Sequence, residues 1–158
     1  MNRRNFLTGA VALVFSLTIA AGHASADGEE IVVIVHKSNG VGPMNRSQLG
    51  SLFKARSSEF PGGGRATAVN LPPENPARQD FDLTVLGMRP DEVERFWLDS
   101  KIRSGVGSPR KLTGSAAVVR FVSNDETGIG YVPGADARDA GNAVRIVARI
   151  RQGQVIAP

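Results

Sequence analysis

Ile31-Val-Val-Ile-Val35 is an unbroken run of β-branched residues with no polar alternation. β-Branched side chains fit a pleated strand, and a strand with one wet face would alternate apolar with polar residues. The run therefore reads as a strand covered on both faces, the pattern of a parallel sheet with helices on either side. Everything downstream is read against that first strand.

Ser-Asn and two glycines follow in His36–Met44, a loop, and Asn45 with Gln48 three places on forms a capping-box pattern. Leu49, Leu52 and Phe53 then share one helical face. Ser57–Arg65 carries Pro61 and three glycines and reads as a surface connection; no Gly-Lys-Ser/Thr follows to make it a phosphate loop. Ala66–Leu71 is a second strand, and Asn75-Pro76 supplies an N-cap with proline at the first helical position. Ala77, Phe81 and Val85 form the inner face of that helix, which Gly87 ends. Pro90 opens a further helix whose stripe Val93, Phe96 and Trp97 is expected in the core. Ser104–Ser115 is irregular, Val118, Phe121 and Val122 mark a short helix, and Gly128–Val132 a short buried strand. The alternating arginines of Val144–Ile150 point to an edge strand.

Alternation of strands with helices predicts a single α/β domain, a mostly parallel sheet with flanking helices, whose ligand lies at the carboxyl ends of the strands. Three loops qualify there: Lys37–Met44, Pro72–Asn75 and Gly105–Ser115.

Upstream, Arg3 and Arg4 precede the apolar run Phe6–Ala21, which ends at Ala24-Ser25-Ala26. A run of roughly 16 residues is shorter than the roughly 20 that span a bilayer, so residues 1–26 read as a cleavable export signal and 27–158 as the mature domain. The order Arg-Arg-Asn-Phe-Leu also fits a twin-arginine signal, so the route is either Sec or twin-arginine. The expected location is the periplasm. Loss of Arg3 and Arg4 takes the formal charge from +4 to +2. No basic run or aromatic-studded basic face is present, which argues against nucleic acid as a partner. The chain has no cysteine, which excludes disulfides, thiolate catalysis and cysteine-built metal sites.

Catalytic signals are thin. His36 is the one histidine after the signal, and Gly-x-Ser-x-Gly, His-Glu-x-x-His and acidic calcium-loop patterns are missing. An enzyme would rest on His36 alone, so none is expected, and no cofactor or metal is implied. Binding chemistry at helix starts is better supported, because free N–H groups and the helix dipole favour anions. The candidate ligand-binding residues are Ser38 and Asn39 in the first loop, Asn75 and Arg78 in the second, and Arg110, Lys111, Thr113 and Ser115 in the third. The third group is the strongest, since Arg110 and Lys111 exceed what a helix cap requires.

The order of elements resembles the phosphate-binding periplasmic proteins of ABC transporters, the PstS-like family, in its short single-domain form. The likeness lies in Ile31–Val35, the Ser47-Gln-Leu-Gly-Ser-Leu-Phe53 helix, the strand and helix Val69–Leu86, and Thr127-Gly-Ile-Gly-Tyr-Val132. The resemblance implies a type-2 periplasmic-binding-protein lobe, exported and non-enzymatic, with phosphate or another small anion as ligand and a membrane transporter as partner. Family members carry Asp-Gly-Ser-Gly-Thr at the helix start after the second strand, following an arginine. Here Pro73, Glu74, Asn75, Pro76 and Ala77 stand at those places, and Leu71, or Asn70 with a one-place slip, stands at the arginine. Pro76 removes an N–H donor, Ala77 a hydroxyl, and Glu74 adds a negative charge where an anion arrives. Asn75 and the Arg78 N–H remain as a weaker contact, or binding moves to Arg110, Lys111, Thr113 and Ser115. A lone lobe also leaves one side of the ligand open, so tight binding would need a homodimer or a partner protein as second wall. The rival expectation is a ligand-less interaction or sensory module that docks on a membrane sensor or transporter component.

Overall fold

A computed structural model describes residues 29–158. The export-signal segment 1–26 and its boundary at Asp27 lie outside the described residues. The elements run β1 (Ile31–His36), α1 (Arg46–Phe53), β2 (Thr67–Asn70), α2 (Pro76–Phe81), a π-helical turn (Asp82–Leu86), α3 (Pro90–Ser104), β3 (Arg110–Lys111), α4 (Ser115–Asn124), β4 (Gly128–Pro133), α5 (Gly134–Asp139), a 3-10 turn (Gly141–Ala143), β5 (Val144–Arg151) and β6 (Gln154–Ile156).

One six-stranded sheet has the order β3-β2-β4-β1-β5-β6. β2 is parallel to β3 and β4, while β1 is antiparallel to both β4 and β5, and β6 is antiparallel to β5. β2, β3, β4 and β5 thus point one way and β1 and β6 the other, which refines the expected parallel sheet. β1 is buried along its whole length, as the apolar run requires, yet it sits between two antiparallel neighbours. A run covered on both faces reports the layers above and below it and carries no information on strand direction.

β4 shows how the layers are built, because its successive residues face opposite sides of the sheet. Gly130 faces α4: a Cβ there would meet Val118 Cγ1 at 2.6 Å and Val69 Cγ2 at 3.1 Å. The bare glycine lets α4 press directly on the strand. Tyr131 faces the other way, stacked on Phe81 at 3.8 Å between ring centroids and edge-on to Phe53 at 5.6 Å. Those two rings bring in α2 and α1, so the sheet lies between helical layers around a continuous apolar core.

Three sequence expectations change. β5 is not the edge strand, because the hairpin at Gln152-Gly153, both with positive φ, turns back into β6. The β5 arginines instead have partners: Arg149 and Arg151 both donate to Glu30 Oε1 at 2.9 Å, and Arg145 donates to the carbonyls of Asn39 and Val41. In α3 only Val93 of the expected stripe is buried; Phe96 and Trp97 are half-buried. The irregular segment Ser104–Ser115 contains β3.

Candidate functional site

The site begins where β2 gives way to α2. Asn75 caps α2 through its own side chain, Oδ1 accepting from Ala77 N–H at 2.9 Å, and Pro76 has no N–H. The Arg78 N–H turns back to the Asn75 carbonyl at 3.0 Å. Each donor of this short helix start is therefore absent or already engaged.

The arginine side chain does something the loop does not. Arg78 and Asp82 are one turn apart on the inner face, and Arg78 Nε donates to Asp82 Oδ2 at 3.2 Å. Arg78 Nη1 donates to the Leu71 carbonyl at 2.8 Å, tying the helix to the end of β2. Both side chains are buried, at 5 % and 6 % exposure. Burial pushes the Asp82 carboxyl above its ordinary pKa, and the Arg78 charge and hydrogen bond pull against that shift. Beside the pair, Tyr131 donates its hydroxyl proton to Asn70 Oδ1 at 3.3 Å. Its own pKa is raised, first by burial and then by the Asp82 charge.

α3 closes over this pair. Pro90 starts it, the Arg89 N–H is satisfied by Glu92 Oε2 at 2.7 Å, and Gly105 ends it with φ +72°. Its inner residues Val93 and Trp97, with Pro90 and Glu94, form one wall of a cavity of about 260 Å³. Pro73, Arg78, Gln79 and Asp82 form the facing wall. Lys111 and Ser108 complete the rim. Lys111 is brought there by β3, which pairs Asn70 with Lys111, and by the Leu112 N–H donating to the Asn70 carbonyl at 2.8 Å.

Of the residues expected to bind a ligand, Arg78 and Lys111 thus meet at one cavity. Asn75 stands at its edge of the sheet as a helix cap. Arg110 turns away, its guanidinium 5.0 Å from the centre of the Phe121 ring on α4. Thr113 and Ser115 belong to the start of α4, which Gly114 leaves without a side-chain cap. Ser38 and Asn39 lie at the opposite end of the strands, because β1 runs against β4 and ends beside the amino end of that strand. There Asn39 is a loop clasp: Oδ1 accepts from Val41 N–H at 2.9 Å and Nδ2 donates to the Glu126 carbonyl at 3.0 Å. The Ser38 N–H donates to His36 Nδ1 at 3.1 Å. Both residues line a wider, open depression with Gly62, Gly63 and Gly64, whose positive φ values mark a turn.

Sequence reading missed Asp82, Glu94 and Trp97 as cavity residues. The i, i+4 spacing of Arg78 and Asp82 on a helix was the available signal for the first. No group of three or more potential metal ligands occurs among the described residues, and no helix among them is long and apolar enough to cross a membrane.

The fold these elements make is one lobe of the periplasmic-binding-protein type, an open α/β sheet with flanking helices. Three of the similar solved structures are larger proteins described as components of phosphate transport. A protein from Clostridium perfringens assigned as a phosphate ABC transporter substrate-binding protein, with phosphate bound, matches with a TM-score of 0.60 and 19% identity over 77% of this chain and 46% of its own. An ABC-type phosphate transport receptor from Vibrio cholerae matches with a TM-score of 0.60 and 14% identity over 75% of this chain and 45% of its own. PstS from Borrelia burgdorferi gives a TM-score of 0.59 and 12% identity over 75% and 46%. The chain spans under half the length of these proteins. No protein-family model and no curated protein matches it.

Proposed function

We propose that this chain is an exported solute-binding lobe of the phosphate-uptake type, working in the periplasm beside a membrane transporter, and that it holds a small anion in the Arg78–Lys111 cavity. The observation that carries this is the convergence of two cations from different elements on one cleft at the carboxyl ends of β2 and β3. In open α/β sheets, ligands gather at that edge. The wall that a lone lobe would lack is supplied by α3, which excludes water from one side of the cleft and strengthens hydrogen bonds inside it. Ser38 and Asn39 take no part in this site, and Asn75, Thr113, Ser115 and Arg110 support the helices and strand around it.

Calorimetric titration of the chain with phosphate, sulfate and a small carboxylate at low salt tests the proposal. Binding of at least one anion, abolished by Lys111→Glu and retained by Arg110→Glu, supports it. Folded protein that binds none of the three contradicts it.

A second reading has its own support. Leu98 and Ile102, four residues apart on α3, are exposed at 62 % and 75 % and form an apolar stripe on the outside of the helix, with exposed Val106 following just beyond its end at Gly105. A module docking on a membrane sensor or transporter component would use that stripe, and it would survive charge reversal at Lys111 unchanged.

A further inference from the structure

The ligand that fits the Arg78–Lys111 cavity differs from inorganic phosphate. Charge is the first reason. Arg78 is already balanced by Asp82 at 3.2 Å, and the lining holds Glu94 as well as Lys111, so it is formally neutral and matches one negative charge better than two. Shape is the second. At about 260 Å³ the cavity lies just under the roughly 300 Å³ where pockets for drug-sized ligands begin, and far above the roughly 30 Å³ of one water. Pro73, Pro90, Val93 and Trp97 are apolar walls that a bare oxyanion would leave without contact.

A specific donor remains for the charged end. Arg78 commits Nε to Asp82 and Nη1 to the Leu71 carbonyl, and among the described residues Nη2 makes no hydrogen bond. Among the described residues no fully buried side-chain donor goes unpaired, so Nη2 of this 5 %-exposed residue keeps some access, and the cavity is the space that Arg78 lines.

Building on the anion-binding reading above, we infer that the cavity takes a small organic monocarboxylate with an apolar or aromatic body. Its carboxylate accepts from Arg78 Nη2 and Lys111 Nζ, and its body lies against Trp97, Val93 and the two prolines. Charge-assisted hydrogen bonds fix the head, and apolar burial supplies the rest of the affinity.

Trp97 is the sole tryptophan of the chain, so its fluorescence reports the cavity directly. The full chain is titrated with 3-phenylpropionate, 3-phenylpropionamide and inorganic phosphate at low salt. The carboxylate is expected to shift Trp97 emission saturably, with the amide and phosphate at least about tenfold weaker. Lys111→Met, an exposed position, is expected to weaken the carboxylate about tenfold and leave the amide unchanged. Trp97→Ala, followed by calorimetry, is expected to weaken the carboxylate more than it weakens any phosphate binding, because only the carboxylate has a body resting on the ring. Phosphate tighter than the carboxylate, with no loss in Trp97→Ala, overturns the organic-ligand inference and leaves anion binding standing. No binding of any probe by folded protein overturns both.

Discussion

Arg78 Nε and Asp82 Oδ2 are 3.2 Å apart on side chains that are almost wholly buried, one turn apart on a helix whose donors are otherwise used up. A buried pair of this kind costs desolvation on both members, and removing one member leaves the other charged and unpartnered. Asp82→Ala is expected to destabilise the fold by about 3 kcal/mol or more, read as a lower urea midpoint. An Arg78→Met, Asp82→Leu double variant should recover most of that loss. If the double variant is no better than the single one, the pair is not what makes Asp82→Ala costly.

Gly130 is the second mechanical element. A methyl group there would enter the space of Val118 and Val69, both stiff β-branched side chains that cannot swing aside. Gly130→Ala is expected to cost about 1 to 3 kcal/mol through overpacking of α4 on β4. Thermal melts of the two proteins check it, and an unchanged midpoint would mean that α4 does not press on the strand.

Much of this architecture is legible in the sequence, and the missing parts have physical causes. The run Ile31–Val35 announces a doubly covered strand, and Asn45 with Gln48 does form the capping box that starts α1. Strand direction is not written in a side-chain pattern, so the sequence groups the loop carrying Ser38 and Asn39 with the other two, whereas antiparallel β1 carries it to the opposite end of the strands. β3 escapes notice because its two residues, Arg110 and Lys111, are both exposed and show no apolar alternation. α5 escapes because Gly134-Ala-Asp-Ala-Arg-Asp139 has almost no apolar stripe. The periodicity of Val93 and Trp97 locates an apolar helical face, but a cavity wall and a core layer leave the same trace.

Glu30 makes a prediction for acid pH. The hydrogen bonds from Arg151 and Arg149 hold its carboxyl below the ordinary value of 4.5. A depressed carboxylate contributes stability that is present above the unfolded pKa and lost as pH falls through the folded one. Asp82, raised by burial, acts with the opposite sign: its contribution is present below the unfolded pKa and lost as pH rises through the folded one. Glu30→Gln should therefore lose less stability than the parent chain as pH falls from neutral through and below the ordinary carboxylate value of 4.5, while being weaker by up to about 1 kcal/mol at neutral pH. Parallel acid-limb slopes in urea titrations at several pH values would remove Glu30 from the account.

Tyr131 carries a smaller, cleaner test. Its hydroxyl meets Asn70 Oδ1 inside the aromatic cluster with Phe53 and Phe81, so Tyr131→Phe keeps the stacking and deletes one buried hydrogen bond. The expected cost is about 1 kcal/mol, with the urea slope unchanged. A neutral or stabilising result would show that Asn70 is satisfied without it.

The central claim is the location of the site between α2 and α3. Backbone and indole amide shifts in two-dimensional proton–nitrogen NMR, followed while a small carboxylate is titrated into the chain, test it most directly. The account predicts that perturbations concentrate on the Trp97 indole N–H, Gln79, Val93 and Lys111. Shifts centred instead on Ser38 to Gly42 with Gly62 to Gly64, or on Thr113 to Ala116 at the start of α4, would contradict it.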